Sequence, residues 1–481
     1  MRKLNVPLVA LLLVICLCGP LFGQRGVIIE KEAGIQADIF METFLTKRTA
    51  DLPEMLKLHQ IRVLVVPSRS TYFLDDKGQP RGLDYELLKD WEKMLNAKRQ
   101  KGEPPVSLIF IPVIPSEVAD AIRQGRGDVA GLSLITPSRE KEFAYTTPLL
   151  DSVQEVVVTK RDGYSLSRLE DLSGKEVYVI KGGAQTEGLE TLNKQLRKQS
   201  LPKVKVGEAE SYVTHENLME MLNAGIIPAV VVPDAFARLW SKIFKDLVVH
   251  EGVPLTSGLK ASWGVRKNNP LLLASLNEAI ASVLKKNRRA IEEGFNQYFQ
   301  NTRWITNPFA EGSKSKLVNH FEKEAAAFGM DWLQLMAQGF QESGLNPDAR
   351  SPSGAVGIMQ ILPSTAEWIG VPNYMETGGN IRAGAKYMSK QMKSFANESE
   401  VSSKDQYFFA LAAYNAGPGR LGKYRKKARE LGYDPNSWFG EVERVALRSG
   451  NLETVMYVRN IVNYTMAYKN AYERALLKPK K

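Results

Sequence analysis

The hydrophobic pattern changes character partway along the chain. From residue 61 the apolar positions come in short β-branched runs, first Arg62-Val63-Leu64-Val65-Val66, then 106–113 and 128–134. Between these runs, 85–95 and 117–124 carry apolar residues at helical spacing, and Asp75-Asp76-Lys77-Gly78 is a hairpin signal. A second unit opens with the strand Lys175-Glu176-Val177-Tyr178-Val179-Ile180, continues through a helix over 186–198 and reaches a strand at Ala229-Val230-Val231-Val232. The stretch 248–265 predicts the crossing back to the first unit, and 271–299 a closing pair of helices. Strands alternating with helices predict an α/β domain with a largely parallel sheet. Two units of this size predict two lobes with a cleft between them, a common place for a small ligand.

Past residue 316 the period is helical throughout: 317–328, 332–342, 381–395, 405–415 and 452–474, with no comparable strand run. The stretch 302–316, with Pro308 and Gly312 and no periodicity, predicts a linker. The expected organisation is therefore an α/β domain over 58–301, a linker over 302–316 and a mainly α domain over 317–481. A charged leader over 24–57 precedes them, weakly helical over 37–45 and with a capped helix start at Asp51-Leu52-Pro53.

Targeting and charge narrow the setting. Arg2 and Lys3 precede an apolar run, 6–18, too short for a comfortable membrane span, and small Gly23 offers a cleavage edge. Residues 1–23 thus read as an export signal. Both cysteines, Cys16 and Cys18, lie inside it; they invite a lipid anchor, against which stand the bulky Ile15 and Leu17 just before them. A chain cut at Gly23 has no disulfides and no thiol chemistry. The formal charge of +11 and pI of about 9.3 suit an anionic partner such as a membrane surface or an acidic wall polymer. No nucleic-acid motif accompanies that charge. The four histidines, His59, His215, His250 and His320, lack ligand spacing, so neither a metal nor a cofactor is expected.

The chemistry concentrates in the helical domain. A helix-like apolar segment, with Trp332, Leu333, Leu335, Met336 and Phe340, delivers the lone acid Glu342 to a helix end beside a Gly/Ser/Asn-rich loop. Burial there raises a carboxyl's pKa while a ligand still reaches it, as a general acid requires. Ala412-Ala413-Tyr414-Asn415-Ala416-Gly417-Pro418 ends a second helix with Tyr and Asn presented, and Glu453-Thr454-Val455-Met456-Tyr457-Val458 sets a Tyr inside a third. The basic run 423–429 is a solvated helix face or a hold on an anionic glycan.

Taken in order, Glu342-Ser343, Asn346-Pro347-x-Ala349-x-Ser351, Gly354-Ala355-x-Gly357-x-Met359-Gln360, Ala413-x-Asn415-Ala416-Gly417 and Glu453-Thr454-x-x-Tyr457-Val458 resemble the soluble lytic transglycosylase domain. That resemblance implies a lysozyme-like fold, Glu342 as catalytic acid, and Ser351, Ser353, Met359, Gln360 and Asn415 along the saccharide groove. It also implies that Tyr457 steadies the acid, with peptidoglycan glycan strands as substrate. Ahead of it, Gly82-Leu83-Asp84, Gly127-Asp128-Val129-Ala130, Ile135-Thr136-Pro137-Ser138-Arg139 and Thr147-Pro148-Leu149 are similar to the periplasmic solute-binding proteins of family 3. This similarity implies that Arg139 grips a ligand carboxylate and Asp234 its amino group, with Ser133 and Gln185 as softer candidates. The ligand would be an amino acid or a wall-derived muropeptide. The resemblances together imply an exported, periplasmic enzyme, with outer-membrane attachment or peripheral membrane association open. With one carboxylate, Glu342 would act as acid and then base, closing a 1,6-anhydromuramyl ring. A hydrolytic muramidase and a non-catalytic wall-binding or sensory protein remain the alternatives.

Overall fold

The computed structural model describes residues 41–286 and 314–477, apart from positions 69, 76, 77, 101, 210–212, 224, 396 and 397. The signal, most of the leader and the second closing helix lie outside the described residues.

The α/β part is two lobes built on one hydrogen-bonded path of strands. Across the sheet these run Ser107–Pro112, Gln60–Val65, Val129–Ile135, Thr256–Arg266, Leu150–Lys160, Ala229–Pro233, Glu176–Ile180 and Lys205–Ala209. The expectation of a largely parallel sheet is corrected: each lobe has a parallel set, but the middle of the path is antiparallel. The reason is the crossing. Thr256–Arg266 and Leu150–Lys160 lie antiparallel, each pairing into both neighbours, and so carry the chain out of the first lobe and back. The hairpin at 73–81 forms as expected, Phe73 opposite Arg81.

Every predicted strand and helix of the lobes within the described residues is present, with shifted ends. Asp51 caps Leu52–Lys57 by accepting the Leu52 N–H. Fully buried Arg62 spans the first lobe: its guanidinium bonds both Asp128 oxygens (2.9 and 3.1 Å) and the carbonyls of Thr46 and Gly125. Arg266 adds a second cation on Asp128 at 3.1 Å.

The C-terminal part is helical, its only described β-contacts being isolated bridges at Arg350–Val356 and Val356–Ile361. The helix Lys314–Ala327 starts inside the stretch read as linker. Helices Pro363–Ile369 and Glu443–Arg448 were not expected from the pattern, both being short; the basic run lies on the helix Pro418–Glu430, which buries only Leu421, Tyr424 and Ala428.

This domain is packed onto both lobes. Against the first lobe, buried Arg448 pairs with Glu117 and stacks its guanidinium 4.3 Å over Phe44 of the leader, while donating to the Tyr433 hydroxyl of its own domain (2.5 Å). Arg444 stands 3.4 Å from the same Glu117. Against the second lobe, the C-terminal helix Leu452–Leu477 packs on His215–Asn223, with Asn463 and Met466 facing Asn217 and Met221. Apolar packing is continuous from the first lobe into the helical domain.

Asp128→Ala is expected to lower unfolding stability by about 3–5 kcal/mol, because it strands two buried guanidinium groups. Urea denaturation checks this, and a loss under about 1 kcal/mol, the scale of an exposed pair, would refute it.

Candidate active site

The acid helix, Trp332–Ser343, starts where the Asp331 side chain accepts the Leu333 N–H and stops at Gly344, whose φ of 65° is the left-handed stop that glycine adopts freely. Its last residue, Ser343, donates to the carbonyl of Ile358 (2.9 Å), tying the helix end to the loop that follows. Gln338 and Glu342, four apart, share one face. Both meet Tyr457 of the C-terminal helix: buried Gln338 donates to the Tyr457 hydroxyl at 3.1 Å, and that hydroxyl donates to the Glu342 carboxyl at 2.6 Å.

Burial pushes the Glu342 carboxyl up to about 8, opposed by the Tyr457 hydrogen bond and reinforced by the charge of Glu453. At neutral pH the group holds its proton. Burial first, then the charge of Glu342, raises the Tyr457 and Tyr414 phenols well above their usual range, so both remain hydrogen-bond donors. Tyr414 spends its proton on the carbonyl of Met359 at 2.9 Å.

The loop 349–361 is held by a residue that the motif reading passed over. Asn380, 1% exposed, accepts the Met359 N–H (2.8 Å) and donates to the carbonyls of Val356 and Tyr374. Its amide lies so close to Gly357 (φ 74°) that a β-carbon there would sit 2.6 Å from it. An Asn on the same face of the helix Thr377–Phe395 as Gly384, Met388 and Phe395 was the available signal.

The other expected groove residues divide. Asn415 accepts from Thr454 at 2.5 Å, which joins two of the motifs. Ser351 shares a hydrogen bond with Ser353 (2.8 Å) and accepts the Ala355 N–H, so the pair shapes a turn. Gln360, at φ 45°, donates to the carbonyl of Gly357 at 2.9 Å. None of these bonds Glu342. Met359 is corrected as a groove contact: its side chain is fully buried, and a β-carbon on Gly384 would meet its Cγ at 2.6 Å. Only its backbone faces the site's network. Phe340, two residues before the acid, packs edge-on to Tyr464 at 4.9 Å.

In the α/β domain the two lobes meet at the expected arginine. Arg139, in a helix capped by Thr136, donates to Leu134 O (3.1 Å) and, across the cleft, to Gly182 O (3.2 Å). Glu187 of the second lobe reaches back to the hydroxyls of Thr136 (2.6 Å) and Ser138. Asp234 does not stand free: one oxygen accepts the Gln154 N–H and the other pairs with Arg238 at 2.6 Å. Ser133 sits opposite Ser262 in the strand pair. Gln185 contacts His215 at 3.1 Å, with its Oε1 buried and unpartnered among the described residues. Sequence reasoning missed Glu155, 1% exposed, whose Oε1 is likewise unpartnered; burial pushes its carboxyl up to about 7, against the pull of Thr256 and Arg139. Among the described residues no cluster of His, Cys, Asp and Glu is arranged to hold a metal, and no helix is long and apolar enough to cross a membrane.

Comparison with known proteins assigns both parts. The family described as "Bacterial extracellular solute-binding proteins, family 3" matches residues 61–301, and the "Transglycosylase SLT domain" matches 319–436. Similar proteins include membrane-bound lytic murein transglycosylase F of Shewanella halifaxensis, 28% identical over 76% of this chain and 74% of that protein. The protein of the same name from Stutzerimonas stutzeri is 27% identical over 82% of this chain and 78% of its own length. Among solved structures, an ancestral arginine-binding protein bound to arginine is 24% identical over 50% of this chain and 98% of that one, with a TM-score of 0.40.

The raised carboxyl has a stability signature. Between its ordinary value of 4.5 and about 8, the unfolded chain releases the proton that the folded site retains, so this group's contribution to stability falls as pH rises through that window. Glu342→Gln is expected to melt higher than the parent near pH 8 and equally below pH 4.5, as read by thermal denaturation; equal melting at both ends would contradict the burial argument.

Proposed function

We propose that this chain, which belongs to the bacterial extracellular solute-binding proteins of family 3 and carries a transglycosylase SLT domain behind that module, cleaves the MurNAc–GlcNAc bond of glycan strands without water. It is a peptidoglycan lytic transglycosylase; the product and its control are the points proposed. The observation that carries the reading is the single protonated carboxyl of Glu342 on the Tyr457 hydroxyl.

Glu342 gives its proton to the glycosidic oxygen as the C1–O bond breaks, and the substrate's 2-acetamido oxygen bonds to C1 in place of a protein nucleophile. The Glu342 carboxylate, steadied by Tyr457, then takes the proton of the C6 hydroxyl. The C6 oxygen closes on C1, expels the acetamido oxygen and leaves the 1,6-anhydro ring. Ser351, Ser353, Gln360 and Asn415 line the approach on the loop and helix ends around the acid. One observation favours a second reading: Glu453 bears on Glu342 by its charge, and an exposed carboxylate there is a base for water in a hydrolytic muramidase.

The α/β module binds a small ligand carrying both a carboxylate and an amine. Arg139, Thr136 and Ser138 suit the carboxylate, in the place that the Glu187 carboxylate now holds. Glu155, with its unpartnered oxygen, suits the amine better than Asp234, whose oxygens are both engaged. Lobe movement has a physical route to the acid: the helix His215–Asn223 of the second lobe packs on the same C-terminal helix that carries Tyr457. An export signal and the relatives' description as membrane-bound support a periplasmic enzyme at a membrane surface.

Mass spectrometry of digested sacculi tests the reaction: anhydromuramyl ends are expected from the wild-type chain and no turnover, in a folded protein, from Glu342→Gln. Reducing muramyl ends that disappear in Glu453→Gln would move the assignment to hydrolysis. For the module, calorimetric titration with L-amino acids and stem peptides should find a binder whose affinity drops at least about tenfold, or about 1.4 kcal/mol, in Arg139→Ala; unchanged affinity would remove Arg139 from the site.

A further inference from the structure

We propose that Trp368, with Tyr387 beside it and Lys390 over it, forms an outlying subsite that holds a sugar ring of the glycan strand and the anionic stem peptide it carries. The inference rests on the peptidoglycan reading above and adds a place where the polymer is held away from the acid.

Trp368 is 57% exposed, on a short helix that turns Ala366 and Ile369 into the core and leaves the indole outside. Its indole lies outside that core and offers a wide apolar face to solvent, of the kind enriched at interfaces. The ring is also the outer end of a continuous line. Trp368 meets Tyr387 edge-on at 6.0 Å, Tyr387 meets Tyr414 at 4.8 Å, and Tyr414 donates to the carbonyl of Met359 while lying within electrostatic reach of Glu342. A row of aromatic rings thus leads from the acid to the surface, in steps of the order of a pyranose unit. Pyranose faces present C–H groups, which pack on the electron-rich face of indole and phenol rings.

Charge supplies the second half. The Lys390 ammonium stands 3.5 Å from the Trp368 ring centre, on the turn of helix after Tyr387. Lys390 is exposed and, among the described residues, has no acidic partner. An ammonium held on the ring without a carboxylate suits a ligand that is a sugar on one side and an acid on the other. A muramyl residue bearing its stem peptide has that composition.

The test uses the full-length chain on purified sacculi. Trp368→Ala is expected to raise KM about tenfold, or about 1.4 kcal/mol, with kcat and the product ends kept, and Trp368→Tyr to restore most of the loss. Lys390→Gln is expected to weaken cleavage of strands bearing stem peptides and to leave amidase-stripped glycan unaffected. An unchanged KM in Trp368→Ala, or an equal effect of Lys390→Gln on both substrates, overturns the subsite while wild-type cleavage keeps the parent reading intact. Wild type that fails to cut sacculi overturns the parent reading instead. Thermal melting of each variant within about a degree of wild type, as expected for exposed side chains, keeps a folding defect from imitating the result.

Discussion

The hydrogen bond from Tyr457 to Glu342 is the contact around which the helical domain is arranged. It joins the end of one helix to the second turn of another, and it sits where water is largely excluded. A carboxyl in such a place is costly to ionise, so at neutral pH it keeps its proton. The same hydroxyl lowers the cost of the charge left behind. Gln338 completes the arrangement by donating to the Tyr457 oxygen, which orients the phenolic hydrogen toward the acid and no other acceptor. In the proposed reaction one tyrosine therefore serves a group that gives up a proton and then recovers one.

Around this contact the loop 349–361 is rigid for reasons of backbone bookkeeping rather than of side-chain bulk. Asn380 answers three main-chain groups from inside a helix, and Ser343 and Tyr414 each close one more carbonyl. Small residues at 339, 357 and 384 let the loop come close enough for those bonds. The result is a loop whose main chain is fixed in place by Asn380, Ser343 and Tyr414.

Much of this was legible in the sequence. Glu342 beside its loop, Tyr457 in the apolar helix and the two-lobed α/β pattern all show as local signals, since burial and periodicity leave marks on adjacent residues. What was not legible depends on residues far apart in the chain. The antiparallel centre of the sheet comes from two crossing strands whose partners lie in different lobes. Glu155 looks like one more acid in a strand until burial and a missing partner single it out. Met359 falls inside a recognisable motif, yet its side chain is core, because the motif records the need for its backbone as well as for the residues that face the groove. Asp234 drew attention by its position, but the Gln154 N–H and Arg238, one helical turn on, occupy its two oxygens.

The dock between the helical domain and the lobes has two unlike halves. On the first lobe, a dry arginine–glutamate pair with an aromatic floor fixes direction as well as distance, and burial shields it from added salt. On the second lobe the contact is helix against helix, which permits sliding at little expense. The helical domain is thus held to the first lobe by a directional polar contact and to the second by side-by-side helix packing. Under the proposed coupling, a closing cleft would bear on the flank of the helix that holds Tyr457, with the anchored side as the fulcrum.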